Sequence, residues 1–194
     1  MKMLKESEFM SSTVKPQLTM IFPNIRELPS VNLPPGYHCR HFLPGDEMHW
    51  NRIISDSFGQ FHDFKEFMMK DSVFSPERVW FICDHDWPVA TASAWHESDA
   101  VGVLHMVGRQ NDHAGKGVGY LASLAALHQM KKEGKVCATL STDDHRIPAI
   151  KTYLKLGFLP LISHESHEQR WRDILLSVNV RFVFSDPLSV MVTT

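Results

Sequence analysis

Cysteine is scarce: Cys39, Cys83 and Cys137 are the only three in 194 residues, and no two form a C-x-x-C pair. A disulfide framework and a thiolate metal knuckle are therefore both excluded. Each cysteine falls in a segment that reads as a strand, which is the pattern of buried thiols in a reducing compartment, and a cytoplasmic protein is expected. No apolar run approaches the roughly 18 residues of a membrane span. The opening MKMLKESEFM also lacks the apolar core of a signal peptide, so no membrane partner is expected. There are twelve histidines, but no H-E-x-x-H or comparable ligand spacing, so no metal is expected. An excess of one charge is missing too. Twenty Lys and Arg stand against 22 Asp and Glu, and their scatter argues against a nucleic-acid surface.

What is present is a chain 43% hydrophobic, enough for one domain with a real core. Its organising stretch is VGVLHMVGRQNDHAGKGVG, residues 101–119, followed by YLASLAALHQMKKEG. Val101–Val107 is short, apolar and β-rich and predicts a strand. Leu121, Leu124, Ala125, Leu127 and His128 recur at the spacing of one helical stripe. Between them Gly115, Gly117 and Gly119 form a sharp turn that opens the helix. Backbone N–H groups gathered at such a turn, at the positive end of a helix, make an anion cradle suited to a pyrophosphate. No Gly-Lys-Ser/Thr follows, so this is not a Walker loop, and its position past mid-chain disfavours a dinucleotide fold.

Around this stretch, Gln17–Phe22 reads as an edge strand after a frayed Met1–Ser12, and the Pro-rich run from Pro23 to Gly36 should wrap the surface. Tyr37–Phe42 predicts a strand. Asp46 is placed to cap a helix through Trp50, Ile53, Ile54 and Phe58 that Gly59 stops. Gln60–Lys70, rich in Phe and Met, reads as a helix packed on the sheet or as a lid over a substrate pocket. Val79–Cys83 and Val89–Trp95 form a hairpin that continues into strand 101–107. A helix over 120–133 then crosses over to strand Val136–Leu140, predicted to lie parallel beside strand 101–107. Pro148 opens a helix ended by Gly157, with Ile150, Tyr153 and Leu154 inward. A strand at Phe158–Ile162, a helix at Glu165–Val178 and a short strand at Asn179–Phe184 complete the order. The fold class is α+β, a mixed twisted sheet with one central βαβ crossover. We divide the chain into an extension over 1–36, one domain over 37–184 and a tail over 185–194.

Two motifs about 30 residues apart, Val107–Gly119 and PAIKTYLKLGF at 148–158, together resemble the GNAT superfamily of acyl-CoA-dependent N-acyltransferases. The wider pattern is most similar to the acetyltransferase domains of mycothiol synthase-type members. The resemblance spans about residues 37–162. It implies a mostly antiparallel sheet with splayed middle strands and acetyl-CoA as acyl donor. It puts cofactor-facing backbone on Val107, Gly108 and Arg109, and a pyrophosphate cradle on Ala114, Gly115, Lys116, Gly117, Val118 and Gly119. Tyr153 falls where the family places a phenol near the sulfur, able to protonate the leaving thiolate. Four positions depart from the family: Asn111 for Pro, Ala114 for Gln or Arg, Arg146 for Asn, and Val103 for a basic Glu. With Val103 unable to act as base, His105 on the same strand face is the leading substitute. Glu97 and His96 follow, and His145 and His164 rank lower. The resemblance implies transfer of an acetyl group to a primary amine, read first as that of a small molecule. A peptide or protein N-acetyltransferase and a catalytically idle acyl-CoA-binding domain are the alternatives. A homodimer is left open.

Overall fold

Apolar alternation sets which way each strand faces. In the computed structural model these faces meet helices on both sides of one mixed sheet. Residues 15–186 and 189–193 are described, with side chains as far as residue 180; the expected frayed segment Met1–Ser12 lies outside them. In spatial order the sheet runs β2 (Tyr37–His41), β3 (Val79–Asp84), β4 (Trp87–His96), β5 (Val101–Arg109), β6 (Cys137–Thr142), β1 (Leu18–Phe22), β7 (Leu159–Leu161), β9 (Ser189–Thr193) and β8 (Arg181–Asp186). Strands β2 to β5 form an antiparallel meander. Strand β5 then lies parallel to β6, joined through α2 (Val118–Lys132), as the strand–helix–strand order predicts.

Strand β1 corrects the edge-strand expectation. It is inserted between β6 and β7 and is antiparallel to both, with Leu18 opposite Thr142 and Thr19 opposite Leu161. The reason is visible in its alternation: Leu18, Met20 and Phe22 are all buried, so one face must be covered. The sheet thus draws on residues before Tyr37. It also draws on the expected tail, where Ser189–Thr193 pairs with β8 and touches β7.

One face of the sheet carries α1 (Glu47–Phe58), whose Trp50, Ile53 and Ile54 pack against Val79, Phe81 and Trp95. The other face carries α2, α3 (Ile147–Leu156) and α4 (His167–Ser177) over Ala92, Ala94, Leu104 and Leu140. Helix α2 is buried nearly all round, beyond the single stripe expected: Ala122, Ser123 and Ala126 are also inside. The Pro-rich run explains this. It lies on the outer side of α2, with Leu28, Val31 and Leu33 packed on the same core and the Pro29 carbonyl 2.8 Å from His128 Nε2.

Asp46 sits at the start of α1 but its side chain makes no cap hydrogen bond to the helix. Its carboxylate turns back instead, accepting from Arg40 Nη2 at 2.9 Å and from Leu43 N–H at 2.7 Å. The Phe- and Met-rich stretch forms a π-helical turn, Lys65–Met69, that buries Phe64 and Met68 and leaves Phe61 and Phe67 exposed. Among the described residues no helix is long and apolar enough to cross a membrane.

Candidate active site

The site begins with a defect in β5. Thr91 pairs with Gly108 and Ser93 with His105, so Ala92 alone faces both Met106 and Val107. Met106 takes up the extra length at φ 47°, a left-handed conformation costly for a non-glycine residue. Pairing between β5 and β6 stops at Val103 opposite Thr139. Beyond that pair the two strands part, and β5 presents an open edge to a cavity of about 570 Å³, within the usual range for small-ligand sites.

Val107, Gly108 and Arg109 line this cavity along β5, and Gly115, Gly117, Val118 and Gly119 line its far end. Ala114 and Lys116 are exposed on the same turn, outside the lining. Gly117 caps α2 at φ 76°, and the first intrahelical bond runs from Leu121 N–H to Gly117 O at 3.0 Å. The N–H groups of Val118, Gly119 and Tyr120 therefore have no acceptor within the helix and point out of its positive end. A Cβ on Gly119 would meet nothing within 4 Å, so there is room above these amides for a bulky anion. Gly108 is glycine for a different reason. A Cβ there would lie 2.8 Å from Ile54 Cδ1, because α1 crosses directly behind the strand.

Two serine contacts alter the expected use of Arg109. Its N–H and C=O are both taken by the Ser57 hydroxyl, at 2.7 and 2.8 Å. Ser57, at the end of α1, was not legible as a site residue in the sequence: only its place one residue before an apolar Phe distinguished it.

Tyr153 lines the cavity from α3 and is 5% exposed. Burial pushes its phenol up to about 12, against a smaller lowering by Arg146, so it keeps its proton through the neutral range. His105 and Glu97 are not in the cavity lining. They lie on the α1 face of the sheet, where His105 faces Ser93 across β4 and packs against Trp95, ring centroids 5.2 Å apart. Burial lowers the His105 pKa, and the Asp71 charge partly opposes this. Asp71 itself accepts from Trp95 Nε1 and from Val73 N–H, both at 3.0 Å. Glu97 is exposed and accepts from Thr139 Oγ1 at 3.2 Å, which sets its carboxylate beside the last pair before the strands part. His96 points to the opposite face and is held by Glu133, the residue that follows α2. His145 lines the cavity, whereas His164 is engaged with Ser166 at the start of α4.

A model of the acetyltransferase (GNAT) family matches residues 46–158, more than half of the chain. The chain belongs to the GNAT acetyltransferase family. Among its curated relatives, the mycothiol acetyltransferase of Kytococcus sedentarius is 29% identical over 143 residues, 68% of this chain and 48% of that protein. The mycothiol acetyltransferase of Thermomonospora curvata is 27% identical over 140 residues, 68% and 47% of the two chains. This GNAT chain thus spans about half the length of the curated relatives it matches. Of solved structures, the GCN5-related N-acetyltransferase from Kribbella flavida superposes with a TM-score of 0.57 at 25% identity, over 76% of this chain and 55% of that one. A GCN5-related N-acetyltransferase from Sphaerobacter thermophilus shares the fold, with a TM-score of 0.58 at 21% identity over 75% and 49%.

GNAT proteins typically take acetyl-CoA as donor, and the residues present fit it. The lining holds Arg109, Arg146, Lys151 and Lys155 but neither Asp nor Glu. Lys155 Nζ stands 5.4 Å from the Tyr120 ring, which keeps a cation beside the first turn of α2. Among the described residues no group of three or more His, Cys, Asp or Glu is arranged to hold a metal ion.

Proposed function

We propose that this chain transfers an acetyl group from acetyl-CoA to a primary amine of a small molecule. The observation that carries the reading is the convergence on one cavity of the glycine turn, the unpaired edge of β5 and the buried phenol of Tyr153. Acetyl-CoA supplies an activated thioester. The amides of residues 117–120 would hold its pyrophosphate, needing no particular side chain, which is why Ala114 in place of Gln or Arg leaves the cradle intact. The open edge of β5 beyond the bulge would orient the pantetheine arm.

Tyr153 is the proton donor in this reading. Its hydroxyl stays protonated at neutral pH and the residue lines the cleft, so it can neutralise a departing thiolate. The amine must lose a proton to react. His105, on the face opposite α2, is the base we favour; its burial keeps the imidazole neutral and able to accept. Glu97 is the second choice, standing where the fork opens and compensating for Val103.

A small acceptor is favoured over an extended peptide because the cleft is bridged on the α1 side. The Arg146 guanidinium lies 3.8 Å from the centre of the Phe58 ring, joining the two walls. The test is release of CoA thiol from acetyl-CoA over a panel of small amines and of peptides with free N-termini. Turnover confined to small amines is expected. Turnover confined to peptides would transfer the reading to the peptide class, and tight CoA binding with no turnover on any amine would make this an idle binding domain.

A further inference from the structure

Among the described residues Arg146 has no anionic partner. It stands immediately before α3, about two turns ahead of Tyr153, and its guanidinium makes no hydrogen bond or ion pair among the described residues. The two acids nearest in sequence are engaged elsewhere: Asp143 accepts from Gln17 at 3.1 Å, and Asp144 pairs with Arg170 at 2.7 Å. The partner Arg146 does have is aromatic. It sits over Phe58, which packs on His62 at 5.2 Å, which in turn packs on Phe67 at 4.8 Å. This ladder pins a half-buried guanidinium by its face and leaves its N–H donors unspent.

The donor's own anion is provided for at the opposite end of the cavity, by the first turn of α2 with Lys155 beside it. Arg146 instead reaches onto the α1 face of the sheet, the face that carries His105, Trp95 and Glu97. We infer that Arg146 determines specificity by reading a carboxylate on the acceptor, so that the preferred substrates are amino acids or amines of similar zwitterionic form. A planar carboxylate matches the guanidinium fork, and such charge-assisted pairs are geometrically selective. The inference rests on the acetyl-transfer reading and narrows its substrate class.

The experiment compares L-amino acids with their decarboxylated amines, each as kcat/KM, in the wild-type chain and in Arg146→Met. The wild type should favour the carboxylate-bearing member of a pair by about 10- to 100-fold, the range of a charged hydrogen-bonded contact. In Arg146→Met that ratio should fall by about 10- to 100-fold from the wild-type value, and in Arg146→Lys it should be intermediate. The different basicities of the two amines enter both ratios equally and cancel when the variant's ratio is divided by that of the wild type. Phe58→Leu, which unpins the guanidinium while keeping an apolar side chain, should lower the ratio in the same direction. A ratio unchanged in Arg146→Met overturns the inference while leaving acetyl transfer standing. A fall in CoA affinity, measured by calorimetry, with the ratio preserved would assign Arg146 to the donor instead. A preference for succinyl-CoA over acetyl-CoA that disappears in Arg146→Met would place the carboxylate on the acyl group and equally overturn it. No CoA release with any amine contradicts both this inference and the transfer on which it rests.

Discussion

The Ser57 hydroxyl accepts a hydrogen bond from Arg109 N–H at 2.7 Å and donates one to the Arg109 carbonyl at 2.8 Å. One side chain at the end of α1 therefore satisfies both backbone groups of the last residue of β5, on the edge that β6 no longer pairs. Removing it in Ser57→Ala leaves a half-buried donor and acceptor unpaired, a cost of about 1–2 kcal/mol. For a domain of this size that is a fall of about 2–8 °C in Tm. A melting temperature equal to wild type would mean that water or another group substitutes at no cost.

The cradle is best tested at Gly119. At Gly117 any side chain is strained by φ 76°, so lost binding there has two explanations. Gly119 has ordinary helical geometry and open space at its Cβ. Gly119→Leu should keep the wild-type melting temperature within about 2 °C, a surface-like substitution, yet weaken CoA binding by at least about tenfold by filling the space above the α2 amides. Calorimetry giving the same affinity in the folded variant would move the pyrophosphate elsewhere.

Tyr153→Phe keeps the buried ring and its contact with Phe158, centroids 6.0 Å apart, and removes only the hydroxyl. kcat should fall by about 10- to 10³-fold with CoA affinity nearly retained, because a positioned acid acts in the transition state. Equal kcat under conditions where chemistry limits the rate would return Tyr153 to a packing role.

If His105 takes the amine proton, activity requires its neutral form. Burial lowers its pKa, so the acid limb of kcat/KM should lie below the ordinary histidine value of about 6.5, with activity falling as pH drops through it. The limb should be lost in His105→Gln and kept in Glu97→Gln, compared on a single amine so that the substrate's own titration is common to all three. The reverse result would give the proton to Glu97.

The parts of this molecule that were legible beforehand are those written locally. The glycine turn, the start of α2 and the α3 stripe around Tyr153 each lie within a short window, where φ requirements and periodicity leave few choices. The β5–β6 crossover followed from chain order and handedness. What escaped depends on residues far apart in sequence. LTMIF carries the same alternation at an edge as between two strands, so nothing in it announced that β1 would enter the sheet beside β6. Ser57 meets Arg109 across 52 positions, and Phe58 meets Arg146 across the cleft. The Asp46 carboxylate likewise turned from its own helix to Arg40 on β2, a choice made by the neighbouring strand.

The most direct test of the account follows the acetyl group itself. Acetyl-CoA labelled with carbon-13 in the acetyl group is incubated with the chain and a pool of small primary amines, and the label is located by mass spectrometry and NMR. The account predicts labelled N-acetyl product forming in step with free CoA thiol, and loss of both in the Gly119→Leu variant at limiting acetyl-CoA. Label that remains on CoA, or that appears only as free acetate, would contradict it.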